Sequence, residues 1–156
     1  MNTNPSDSPS EAATRDDMIA PRMRISFATS MIGLLIFAIG TKPNLFGWDR
    51  SPVVGFVQIA VFLLGLAIIC LGGYMGIVTL WWGYERTIIS EIGSRIVATG
   101  YVISIFAGMA DVFGMGSQPY PQVPYFGPWQ AVGVVIGQIV IAIGFLLFIP
   151  YRFQKN

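Results

Sequence analysis

The sequence predicts an all-α integral membrane protein with four transmembrane helices, arranged as two helical hairpins of the same orientation behind a disordered N-terminal tail. Three observations carry this reading. Hydrophobic residues make up 54% of the 156-residue chain and charged residues only 11%, whereas a soluble domain needs about 25% charged residues to coat its surface. The few charges are clustered, leaving uncharged runs long enough to match a hydrocarbon core of roughly 30 Å. Lys and Arg are also unevenly shared between alternate loops, which sets an orientation.

Residues 1–21 are polar, rich in Ser, Asn, Asp and Pro, and almost free of large apolar groups. Such a segment buries too little surface to offset its ordering entropy and reads as a disordered cytoplasmic tail. It is acidic where a secretion signal is basic, and no small-residue cleavage site follows the first apolar run. Residues 22–156 form the transmembrane domain. The first span, 25–41, lies between Arg22 and Arg24 on one side and Lys42 on the other, and breaks at Pro43. The second falls within 52–82, inside an uncharged run from 51 to 84. That run is too long for one upright crossing, so tilt, an interfacial stretch or a bend near Gly72, Gly73 and Gly76 is expected to absorb the excess. Dividing it into two short spans would give five crossings instead of four. The third span is placed at 94–114 and the fourth at 129–149, where Pro150 ends it.

With four spans, Arg15, Arg22, Arg24, Arg86, Arg95, Arg152 and Lys155 share one side, and only Lys42 and Arg50 the other. The positive-inside rule puts both termini in the cytoplasm, in a plasma (inner) membrane. Trp81, Trp82 and Tyr84 close the second span at the inner face, and Trp48 and Trp129 open the second and fourth at the outer face. A shift of 80 residues pairs Phe46–Gly47 with Phe126–Gly127, Val54 with Val134, Gln58–Ile59 with Gln138–Ile139, Leu66 with Leu146 and Ile69 with Ile149. Arg24–Ile25 and Arg95–Ile96 align at 71, and Ala28–Thr29 and Ala98–Thr99 at 70. These matches point to an internal repeat of one hairpin, although shared membrane composition produces some of them.

Small residues mark where helices can approach closely in lipid. Gly100, Ser104 and Gly108 recur every fourth residue in the third span, Gly133 and Gly137 in the fourth, Gly72 and Gly76 in the second, and Ser26 and Ser30 in the first. They serve either an intramolecular four-helix bundle or contact with another subunit.

Little in the chain can perform chemistry. Cys70 is the single cysteine and there is no histidine, which removes His-ligated cofactors, His-bearing metal sites and His-based acid–base catalysis. No cofactor, metal site or catalytic residue is expected, and a net charge of +1 does not suit nucleic acid. Three polar residues within the spans stand out. Asp111 lies on the face of Gly100, Ser104 and Gly108 near the outer interface, where it can cap a helix or bind an ion. Gln58 and Gln138 each follow an outer tryptophan by nine or ten residues, at matching depth if the repeat holds, where two amides can bridge helices or line a polar path. The outer loop at 116–128 carries Pro119, Pro121, Pro124 and Pro128 with Tyr120, Tyr125 and Phe126, and suits either docking of a partner or anchoring among headgroups. The leading functional reading is a non-enzymatic accessory or scaffolding subunit, in contact with the bilayer and with other membrane proteins or its own copies. The alternative is a small oligomeric transporter or channel using Asp111 and the Gln58/Gln138 pair.

Overall fold

The computed structural model describes residues 9–41, 56–82, 85–115 and 127–150, with side chains described from residue 17 onward. Four helices follow in order: α1 (Pro9–Thr41), α2 (Phe56–Leu80), α3 (Ile88–Gly108) and α4 (Pro128–Phe148). All four are long and apolar enough to cross a membrane, α1 through its Asp17–Thr41 portion. The chain is a polytopic integral membrane protein. Its broadly exposed apolar side chains, such as Phe27, Val57 and Ile88, face what would be lipid.

The helix limits differ from the expected spans in three places. The chain is already helical at Pro9, across residues read as a disordered tail. Proline is tolerated in a first turn, and the Glu11–Ala12–Ala13 stretch is built of strong helix formers joined to a helix that the membrane already holds. Pro21 sits within this helix, which continues despite the missing N–H. α2 runs unbroken through Gly72, Gly73 and Gly76 as 25 residues. That is about 38 Å of helix, a single crossing with no bend or division needed. α3 starts at Ile88 and ends at Gly108, about six residues earlier at each end than the expected 94–114. Its start is fixed by Thr87, whose hydroxyl oxygen accepts the Ser90 N–H at 3.3 Å. Glu91 and Arg95 therefore lie in its first two turns. Beyond Gly108 the chain turns through 109–114 and leaves through Gly114 at φ +73°.

The helices pair as two antiparallel hairpins, α1 with α2 and α3 with α4. Small residues form both seams at seven-residue intervals, the period that keeps a stripe on one face of a left-handed helix pair. They are Ser26, Gly33 and Gly40 on α1, Gly65, Gly72 and Thr79 on α2, Gly93, Gly100 and Ala107 on α3, and Gly137 and Gly144 on α4. Backbone meets backbone along these seams. A Cβ on Gly33 would lie 2.6 Å from the Ile69 nitrogen, and one on Gly144 2.6 Å from the Val97 nitrogen, separations that real side chains do not adopt. Any side chain larger than hydrogen would push these helices apart.

The two seams match contact for contact. Gly33 meets Gly65 and Ile69 as Gly100 meets Gly137 and Ile141, and Gly72 meets Ser26 and Ser30 as Gly144 meets Gly93 and Val97. These correspondences lie 67 residues apart for α1 and α3 and 72 apart for α2 and α4. The identities spaced 80 apart do not fall in matching surroundings. Ile59 and Leu66 are buried, whereas Ile139 and Leu146 are 54% and 55% exposed. Eight residues of difference rotate a position by about 80° around a helix, enough to exchange core for lipid.

α2 holds the hairpins together, because α1 packs on α2 alone among the described residues while α2 also meets α3 and α4. The four helices thus form an open arrangement instead of a closed four-helix bundle. Ile59, Phe62, Leu63 and Val134 make one buried cluster, and Leu66, Val97 and Ile141 a second. At the far end Trp81 of the post-helical turn donates its indole N–H to the Phe148 carbonyl at 2.9 Å, and Tyr74 stacks on the fully buried Phe148 ring. Ile59 lies with Val134 at one end and Trp81 with Phe148 at the other, so α2 and α4 run in the same direction. Arg22 stands 3.7 Å above the Trp82 ring and closes the same end of the first hairpin through a cation–π contact.

Candidate functional site

A cleft of about 340 Å³ opens between α1 and α4, whose backbones stay apart among the described residues, over the N-terminal end of α2. Its walls are Phe37, Gly40 and Thr41 of α1, Gln58 and Phe62 of α2, and Ala131, Val134, Val135 and Gln138 of α4. The hairpin seam shapes one wall. Gly40 backs directly onto Phe62, and Phe37 meets the Phe62 ring edge-on at 6.2 Å and 87°. This close approach holds two aromatic rings at the floor of the cleft.

The structure brings Gln58 and Gln138 to this one cleft, but not at equal depth. Val134, four residues before Gln138, shares a cluster with Ile59, Phe62 and Leu63. Gln138 accordingly lies further from the α2 N-terminus than Gln58. By the seam register, the counterpart of Gln58 is Gln130. Its side-chain oxygen accepts the Gly127 N–H at 3.0 Å, and together with Pro128 it starts α4. Both cleft glutamines are half-buried, and no hydrogen bond joins either side chain to another described residue. Thr41 donates its hydroxyl to the Phe37 carbonyl at 2.8 Å, leaving its oxygen free to accept a further bond. Among the described residues no charged side chain lines the cleft.

Asp111 lies elsewhere. It sits in the turn after α3, half-buried, and its carbonyl accepts the Gly114 N–H at 3.2 Å. Asp111 is not among the residues that line the cleft.

Among the packing residues, Gly100 and Gly137 meet on the α3–α4 seam, where Gly137 also backs onto Ser104. Gly72 and Gly76 lie against Ser30 and Ser26 on the other seam, and Gly133 lies against Ala107. Gly108 turns away toward the side-chain ends of Leu63, Ile59 and Val134. Most of the bonded hydroxyls within the spans are used locally, while Tyr101 of α3 donates across to the Leu63 carbonyl of α2 at 3.4 Å. Ser26, Thr29, Thr79, Thr99 and Ser104 each donate to a carbonyl one turn back in their own helix, which satisfies them in hydrocarbon. Among the described residues no group of three or more His, Cys, Asp or Glu side chains is placed to hold a metal ion. The proline- and tyrosine-rich loop, Trp48 and Tyr84 lie outside the described residues.

Sequence reasoning missed the cleft and the Trp81–Phe148 bond. A signal for the bond exists in principle, since a tryptophan at a span end needs an acceptor for its N–H, but nothing local identifies which carbonyl supplies it. The fold and its polar inventory define the protein as a small polytopic membrane protein built of two glycine-seamed hairpins. No protein-family model, curated protein or solved structure matches this chain.

Proposed function

We propose that this chain is a non-enzymatic subunit that accompanies or scaffolds other proteins in the membrane, its own copies included. The observation that carries the reading is the use of polar groups within the spans. The seam hydroxyls turn back on their own helices, so the spans offer packing surfaces and not reactive groups. α1 supports it as well, because a helix packed on a single neighbour leaves Phe27, Ile32 and Leu35 available to another transmembrane segment. We further infer that the two hairpins descend from one by duplication, on the strength of their matching seam contacts. In this reading both termini lie in the cytoplasm of a cell with the chain in its plasma membrane, as the Lys and Arg distribution indicates.

The test is purification of the tagged full chain in mild detergent, with its mass and its companions measured. A complex with a fixed ratio of another integral membrane protein, or a defined oligomer, is the expected result. A monomer with no stoichiometric companion would remove the reading. A small oligomeric transporter or channel is the second reading, favoured by the meeting of Gln58 and Gln138 in one cleft. Liposomes containing the purified chain distinguish the two. The accessory reading expects no ion or proton flux above empty vesicles, whereas flux abolished by Asp111→Asn without loss of melting temperature would establish the transport reading.

A further inference from the structure

We propose that the cleft between α1 and α4 binds an uncharged, lipid-soluble molecule carrying carbonyl or hydroxyl oxygens, oriented by the carboxamides of Gln58 and Gln138. This goes beyond an accessory role and does not depend on it. Four features of the cleft define the ligand. Its volume of about 340 Å³ is at the small end of natural ligand pockets, which run from about 300 to 1,000 Å³. That is room for a ring or the head of a small lipid, with any tail left in the bilayer. Every described residue that lines it is uncharged, so a charged ligand would meet no counter-ion among them, a costly state wherever water is excluded. A neutral ligand fits this lining.

The amides supply the third feature. Each offers two N–H donors and one carbonyl acceptor, and neither is used by another described residue. Polar groups that are partly buried find partners when partners exist, because leaving the bonds unmade costs free energy. A ligand carbonyl can accept from an amide N–H, and a ligand hydroxyl can donate to an amide oxygen or to Thr41. The stagger of the two glutamines along the helix axis suits a molecule with more than one oxygen. The fourth feature is the floor. The edge-on Phe37 and Phe62 rings offer an apolar, aromatic surface for a ring or acyl chain. Entry is lateral, since the backbones of α1 and α4 stay apart among the described residues and Val135 at the rim is 51% exposed.

The experiment uses the full chain in detergent micelles with four probes: a decyl-substituted benzoquinone, dioctanoylglycerol, decane and decanoate. Saturable binding is read by calorimetry, and melting temperature is followed in parallel. One or both of the neutral oxygen-bearing probes should bind at one per chain and raise the melting temperature. The quinone alone would identify a ring-bearing ligand, and the glycerol ester alone a glycerolipid, each supporting the assignment. Decane and decanoate should not bind saturably. Gln58→Leu combined with Gln138→Leu should weaken binding at least tenfold while leaving the melting temperature of the free protein unchanged or higher, since neither amide bonds another described residue. Val135→Phe should fill the rim and weaken binding by a similar factor with both amides intact, which keeps the test informative if the double variant misfolds. Absence of saturable binding by both neutral probes would overturn the proposal. Equal binding of decane, or unchanged affinity in the double glutamine variant or in Val135→Phe, would overturn it too.

Discussion

Gly108 and Gly137 have the same absent side chain and opposite circumstances. A Cβ on Gly137 would meet the Gly100 carbonyl at 2.7 Å, while one on Gly108 would meet only side-chain ends at 3.4 Å or more. Gly137→Ala should therefore destabilise the protein by about 2 kcal/mol, the usual scale of overpacking. Gly108→Ala should change stability by less than about 0.5 kcal/mol, as substitutions with room to fit do. Thermal melts in one detergent measure both, and equal losses would remove the seam from the account. The glycine and serine stripes were legible in the sequence as small residues, but their partners were not. A four-residue step drifts around the helix, so Gly108 leaves the line of Gly100 and faces α2, whereas the seven-residue step to Ala107 stays on the seam. Trp81→Phe keeps the ring and removes the 2.9 Å bond to the Phe148 carbonyl. It should lower stability by about 1–2 kcal/mol, the cost of orphaning a buried acceptor, and a melting temperature equal to wild type would show that carbonyl to be satisfied elsewhere.

Each helix boundary tests how far local signals reach. Apolar length placed all four helices, because a span of roughly 20 apolar residues is dictated by the bilayer and not by tertiary context. The ends followed other rules. The sequence predicts the third span from residue 94, yet α3 already includes Glu91 and Arg95 and takes its start from the Thr87 hydroxyl. Charges tolerate a helical first turn at the interface, so they bound the hydrocarbon but not the helix. Thr87→Ala should cost about 1 kcal/mol, as loss of an N-cap does, and hydrogen exchange at the amides of the first α3 turn should accelerate. Protection unchanged in that turn would mean that the helix starts elsewhere. α1 extends outward for the same reason at larger scale, since an established helix propagates more readily than it nucleates.

For the molecule as a whole, the pairing of helices could be anticipated from short connections, but the register between hairpins could not. Identities 80 apart suggested one alignment, while the packed seams obey offsets of 67 and 72. In a chain built from few residue types many identities arise by chance, so sequence matches alone do not report which positions share surroundings. The cleft with Gln58 and Gln138 arises from the same geometry, because it opens where the α1 and α4 backbones stand apart over α2. The central claim is that two hairpins in the same orientation carry the chain across the membrane four times. Single cysteines at Ser8, Ser51, Ser117 and Asn156, each in a Cys70→Ala background, test it with a membrane-impermeant thiol reagent added to intact cells. Positions 51 and 117 should label from outside, and positions 8 and 156 only after the membrane is opened. Labelling of 8 together with 51, or of 117 without 51, would contradict the four-crossing arrangement.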